Sequence, residues 1–140
     1  MNPKEELNQY RYMKEKVNET LEEYEKYKTR AEKMTSIISD SPSRTNITRD
    51  KVGDNAVVLA DLEKEYEQRW IDAEYKKLEI EKNIDQVEEP YRTILHKRYI
   101  EDKGFEEISC EMSYTYSAVT KMHGKALQLY SCKKMKDSAN

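Results

Sequence analysis

VGDNAVVLADLEKEYEQRWIDAEYKKLEIEKNIDQV, residues 52–87, decides the fold. Counted at alternating steps of four and three, one seam runs through Val52, Ala56, Leu59, Glu63, Tyr66, Trp70, Ala73, Lys77, Ile80, Ile84 and Val87. Only Glu63 and Lys77 break it. A seam held over about five heptads is the pattern of a helix packed along its length against another helix. The segment therefore predicts a helix from about Thr48 or Asp50 to about Val87. Gly53 near its start costs about 1 kcal/mol relative to Ala, which weakens the first turn or moves the start to Asp54. Trp70 reads as a core anchor, and Glu63 and Lys77 as polar seam residues that set register.

A partner for this helix precedes it. From about Pro3 to Ile38, apolar residues fall at Leu7, Tyr10, Met13, Val17, Leu21, Tyr24, Tyr27, Ala31, Met34 and Ile38, in steps of three and four. That is one helical face, with Lys and Glu filling the rest. Asn2 suits an N-cap, Pro3 the first helical position, and Glu5 and Glu6 the positive helix end. Between the two helices lies SDSPSRTNITRD, residues 39–50, which is polar, contains Pro42 and has no apolar period. It reads as a reversing loop. Residues 1–87 are thus expected to form a long antiparallel helical hairpin, a coiled coil of helices each about 50 Å long. Tyr12 and Tyr75 fall outside the two stripes, and they raise the prospect of a homodimer through the hairpin.

Composition agrees with narrow apolar stripes on long helices. Of the 140 residues, 38% are charged and 36% hydrophobic, with mean hydropathy −1.08, so one thick core and a membrane span are both excluded. Only 3 Gly and 3 Pro, against 11 Tyr, argue against disorder. MNPKEELNQY has no apolar segment and does not read as a signal peptide, so a cytoplasmic protein is expected. Cys110 and Cys132 are then reduced thiols. His96 and His123 are each solitary, and no metal spacing, phosphate loop or nucleophile–base order appears. Neither an enzyme nor a cofactor or metal site is expected.

Residues 88–132 change character. Glu88, Glu89 and Pro90 stop the long helix and begin another. Leu95, Tyr99 and Ile100 give a short apolar face, and Lys103-Gly104 a turn. Phe105, Ile108 and Met112 mark a second helix, and Ser113-Tyr114-Thr115 a tight turn with Thr115 as N-cap. Val119, Met122, Ala126, Leu129 and Tyr130 then form the buried face of a third helix, its outward-reading part about 116–129. Three short helices with a three-residue turn before the last make a helix-turn-helix pattern. The whole chain is expected to be all-α: the hairpin, this domain, and a basic tail at 133–140.

The last helix carries the functional signal. Its outward sector holds Tyr116, Ser117, Thr120, Lys121, Gly124 and Gln128, which are hydrogen-bonding or small, with one cation and no acid. A helix entering a DNA major groove needs such a face, with its N-terminal amides free for phosphates or bases. From Met112 to Asn140 five lysines (Lys121, Lys125, Lys133, Lys134 and Lys136) meet one acid, Asp137. That stretch carries +4 in a chain of net −3, so the remainder carries −7. A basic reading module on an acidic support fits this division. Arg92, Lys97 and Arg98 either touch DNA phosphates or bridge to Glu101, Glu106 or Glu107.

The run YRTILHKRYIEDKGFEEISCEMSYTYSAVTKMHGKAL, residues 91–127, resembles the C-terminal DNA-binding region of sigma factors, region 4. The matching parts are RYIEDKGFEEI, Tyr114-Thr115 at the turn, Val119, Met122 and Lys125 to Leu127. The whole chain resembles the ArpU/RinA-like transcriptional regulators of prophages, most clearly at KVGDNAVVLADLEKEY and MHGKAL. The resemblance implies binding to double-stranded phage promoter DNA and activation of late or packaging genes; host RNA polymerase is a further candidate partner. It also implies base and phosphate contacts at Tyr116, Ser117, Ala118, Thr120 and Lys121, beside Thr115 and Lys125. Two departures stand out: the contact positions hold no Arg, and Ser113 stands where Gly is usual. Two other readings fit the same elements: a phage small terminase subunit, and an adaptor that contacts RNA polymerase without DNA.

Overall fold

The structure is a computed structural model that describes residues 2–39 and 45–139, with burial described for residues 2–34 and 53–135. Most of the described residues are helical and none is in a strand, so the fold is all-α. Five α-helices follow one another: α1 (Pro3–Ser39), α2 (Thr45–Ile84), α3 (Tyr91–Leu95), α4 (Phe105–Met112) and α5 (Tyr116–Ala139). α3 continues as a π-helical turn over His96–Ile100.

Asn2 caps α1 as expected: its Oδ1 accepts from the Lys4 amide at 3.0 Å and its carbonyl from the Glu6 amide at 3.0 Å. The side-chain bond satisfies one orphan amide of the first turn, and the carbonyl accepts the first bond of the helix itself. The expected stripe is covered from Leu7 to Ala31, and Met34 at its end is exposed. Residues 40–44 of the expected loop lie outside the described residues, as do the side chains of Ile38 and Val52. Thr20 is buried too, because its Oγ1 donates to the Lys16 carbonyl at 2.8 Å and needs no other partner.

α2 corrects two expectations. It starts at Thr45, so residues 45–50 are helix rather than loop. The apolar period begins later than the helix, and the glycine penalty at Gly53 is small beside the propagation of a 40-residue helix. The seam is also displaced. Its seven-residue repeat holds at Leu59, Tyr66, Ala73, Ile80 and Val87, all covered. The positions between fall one residue earlier than counted in the first half: Leu62 is half-buried and Glu63 exposed, and Arg69 is half-buried while Trp70 is 50% exposed. Trp70 is therefore not a core anchor. A heptad count fixes one position per repeat, but 3.6 residues per turn leaves the second free to sit at +3 or +4.

The chain divides into two compact units. One comprises residues 14–72 of the two long helices. There Val17, Thr20 and Ala31 of α1 are buried, and Leu59, Leu62 and Tyr66 of α2 are half-buried. The Tyr27 hydroxyl donates to Asn55 Oδ1 at 2.7 Å, tying α1 to α2. Val57, Val58, Trp70 and Ile71 of this unit are exposed.

The other unit gathers residues 1–13 with 73–140. Its fully covered residues are Leu7 of α1, Ile80 and Ile84 of α2, Val87, Ile94 and Leu95 of α3, Ile108 of α4, and Val119 and Ala126 of α5. Polar ties join the first turns of α1 to the C-terminal helices. Arg11 pairs with Asp102 at 3.0 Å, and Lys134 pairs with Glu6. Asn83 near the end of α2 donates to the Tyr130 hydroxyl at 3.4 Å. The stretch from Lys133, read as a tail, continues α5 as helix up to Ala139.

Candidate nucleic-acid interface

The site is built on the core of α3, α4 and α5. Ile94, Ile108 and Val119, one from each helix, are fully covered, with Phe105, Met112 and Met122 packed against them. Spacing had picked out five of these six; Ile94 was missed because the face counted on α3 began at Leu95. The last turn of α3 widens: the Glu101 amide donates to the His96 carbonyl at 3.1 Å, five residues back. The chain then reverses through Asp102, whose φ is 57°, rather than through Gly104, which precedes α4 in extended conformation. Asp tolerates the left-handed region better than most residues, and Arg11 holds its carboxylate.

α4 ends on Ser113, which is left-handed at φ 59° and ψ 36°. The Tyr114 amide donates to the Ser109 carbonyl at 3.0 Å and the Ser113 amide to the Cys110 carbonyl at 3.4 Å. This six-to-one and inner bond pair is the Schellman closure, here built on serine instead of glycine. Two residues later Thr115 caps α5: its Oγ1 accepts from the Ala118 amide at 3.1 Å and its carbonyl from the Val119 amide at 3.0 Å. The expected N-cap is thus in place.

The structure leaves most of the expected contact residues exposed. Thr115, Tyr116, Ser117, Lys121 and Lys125 are exposed, and Ala118 and Thr120 half-exposed. Thr120 Oγ1 is turned back onto the Ser117 carbonyl at 2.9 Å. Lys121 makes no ion pair among the described residues. Lys125 Nζ lies 5.2 Å from the centroid of the Tyr91 ring, a cation–π contact that leaves the ammonium in solvent. No acid lies on α5 from Tyr116 to Met135.

Behind this surface an aromatic cluster fixes the start of α5. Tyr99 Oη and His123 Nε2 are 2.7 Å apart, and their rings stack with centroids 5.7 Å apart. Phe105 meets His123 edge-on at 4.9 Å and Tyr116 edge-on at 6.4 Å. The Arg98 guanidinium lies over the Phe105 ring, 4.4 Å from its centroid. Burial, and then the positive charges of Arg98 and Lys4, push His123 down to about 4, so it is a neutral structural group at neutral pH. Burial pushes Tyr99 up to about 12.

Arg92, Lys97 and Arg98 are all engaged within the chain. Arg92 Nε donates to the Val87 carbonyl at 2.9 Å and lies 3.8 Å from Glu89. Arg98 donates to the Lys103 carbonyl at 3.1 Å. Lys97 pairs with Glu111 at 2.8 Å, and Lys103 pairs with the other Glu111 oxygen at 2.6 Å. The hydrogen bonds from Lys103 and from Lys97 hold the Glu111 carboxyl below the usual carboxylate range. Glu111 lies a helix length from Lys97 in sequence, and local spacing offered Glu101, Glu106 and Glu107 instead.

Set against family models, characterised proteins and solved structures, the chain matches none.

Proposed function

We propose that the chain is a sequence-specific DNA-binding transcriptional regulator of phage late or packaging genes, with the first turns of α5 in the major groove. One observation carries this reading. The Thr115-capped end of α5 offers Tyr116, Ser117, Lys121 and Lys125 to solvent on a helix stretch that carries no acid, held by the core behind it. A groove-reading helix needs hydrogen-bonding side chains, phosphate-compatible charge and a fixed orientation. In this reading the α4–turn–α5 unit is a sigma-like helix-turn-helix, and the two long helices form an antiparallel hairpin for partners. The exposed Val57, Val58, Trp70 and Ile71 favour a protein partner, a second copy or host RNA polymerase, alongside DNA. The protein then acts in the cytoplasm of a bacterial host, without catalysis.

The test is a gel shift on duplexes tiling the genomic region around the gene. A retarded complex on one tile, weakened by Lys121→Ala and Tyr116→Ala, is expected. Absence of binding on every tile at low salt would leave the adaptor reading. A ring-shaped oligomer in light scattering would favour the small terminase reading.

A further inference from the structure

Gly124 sits in the middle of α5, two turns beyond Tyr116, and its environment gives it no internal task. It is exposed, its φ is not in the left-handed region, and a Cβ built on it would meet nothing within 4 Å. Glycine in an exposed helix interior is less favourable than alanine, because it orders more backbone freedom and packs nothing in return. No close helix or turn here demands it.

Its position on the helix does supply a reason. At 100° per residue, Gly124 shares the solvent sector with Ser117, Lys121 and Gln128, opposite the buried Val119, His123, Ala126 and Tyr130. Eight residues separate it from Tyr116, about 12 Å of helix, which is about the width of the major groove. If the N-terminal turn meets base edges, Gly124 lies where the helix crosses the sugar–phosphate wall. Lys121 and Lys125 are exposed beside it, both on the same side around the helix.

Resting on the DNA-binding reading, we propose that Gly124 is the point of closest approach between α5 and one DNA strand, with Lys121 and Lys125 reaching the phosphates beside it. A side chain there would hold the helix off the strand. The contact is to the backbone, so it sets affinity on all sequences and not preference among them.

The experiment compares wild type, Gly124→Ala and Gly124→Leu for thermal unfolding and for binding to the retarded tile and to an unrelated duplex. Gly124→Ala is expected to raise the melting midpoint by about 3–5 °C. Gly124→Ala is expected to weaken binding to both duplexes severalfold, and Gly124→Leu by about tenfold or more. The salt slope should stay as in wild type, since no charge is lost. Variants that are more stable and bind as tightly as wild type would overturn the inference while leaving the DNA-binding reading intact. A wild-type chain that binds neither duplex would overturn both.

Discussion

Ser113 is the residue at which sequence and backbone disagree most. Its left-handed conformation closes α4 and aims the chain into α5, and an L side chain there costs roughly 1–2 kcal/mol relative to glycine. Ser113→Gly should therefore raise unfolding stability by about 1 kcal/mol, read from the urea midpoint. A lower midpoint would show that the serine hydroxyl contributes something the backbone argument omits. His123 gives a pH signature. Its folded pKa is about 4, below the 6.5 of a free imidazole, so between those values the unfolded chain binds a proton that the folded chain does not. That part of the stability is complete above pH 6.5 and is lost as the pH falls towards 4. His123→Gln can still bond to the Tyr99 hydroxyl but has no such titration. The difference in stability between wild type and the variant should shrink as the pH drops through this window. A difference constant from pH 7 to pH 4 would contradict the assignment.

At the scale of elements, the helices and the buried face of the C-terminal unit were legible in the sequence. Ile108, Val119, Ala126 and Tyr130 are buried where their spacing put them, and Thr115 caps where its position implied. Short helices tolerate no phase error, because a slip of one residue moves a side chain through 100°. In a long helix the same slip passes unnoticed, since polar and aromatic residues alternate closely around the seam. The alternating count of four and three places Trp70 in the seam, whereas the half-buried residue there is Arg69, one position earlier. Substitution separates the two readings. Ile84→Ala, at a fully buried position, should cost about 2–5 kcal/mol. Trp70→Ala should cost about 1 kcal/mol or less, because half of its surface already faces water. Equal costs in urea unfolding would place Trp70 back in a core. The ties between Arg11 and Asp102 and between Lys134 and Glu6 were not legible at all. Ion pairs between residues 91 and 128 positions apart leave no local pattern.

For the whole molecule, the charge division is the feature that links fold to function. The stretch from Met112 carries +4 against −7 elsewhere. The structure refines that figure, because Lys134 is committed to Glu6, and Arg92, Lys97 and Arg98 are committed within the chain. Lys121, Lys125 and Lys133 are exposed on α5, the first two nearest its aromatic and hydroxyl-bearing first turn. A few lysines make a modest electrostatic anchor, which under the proposed DNA-binding reading suits binding as a pair or beside a polymerase. The salt dependence of binding to the retarded duplex tests this most directly. The affinity should fall as salt rises, and Lys121→Ala should weaken binding on specific and unrelated duplexes alike and reduce the slope of log affinity against log salt by about 1. A slope unchanged in Lys121→Ala, with affinity equal to wild type, would contradict the placement of α5 on DNA.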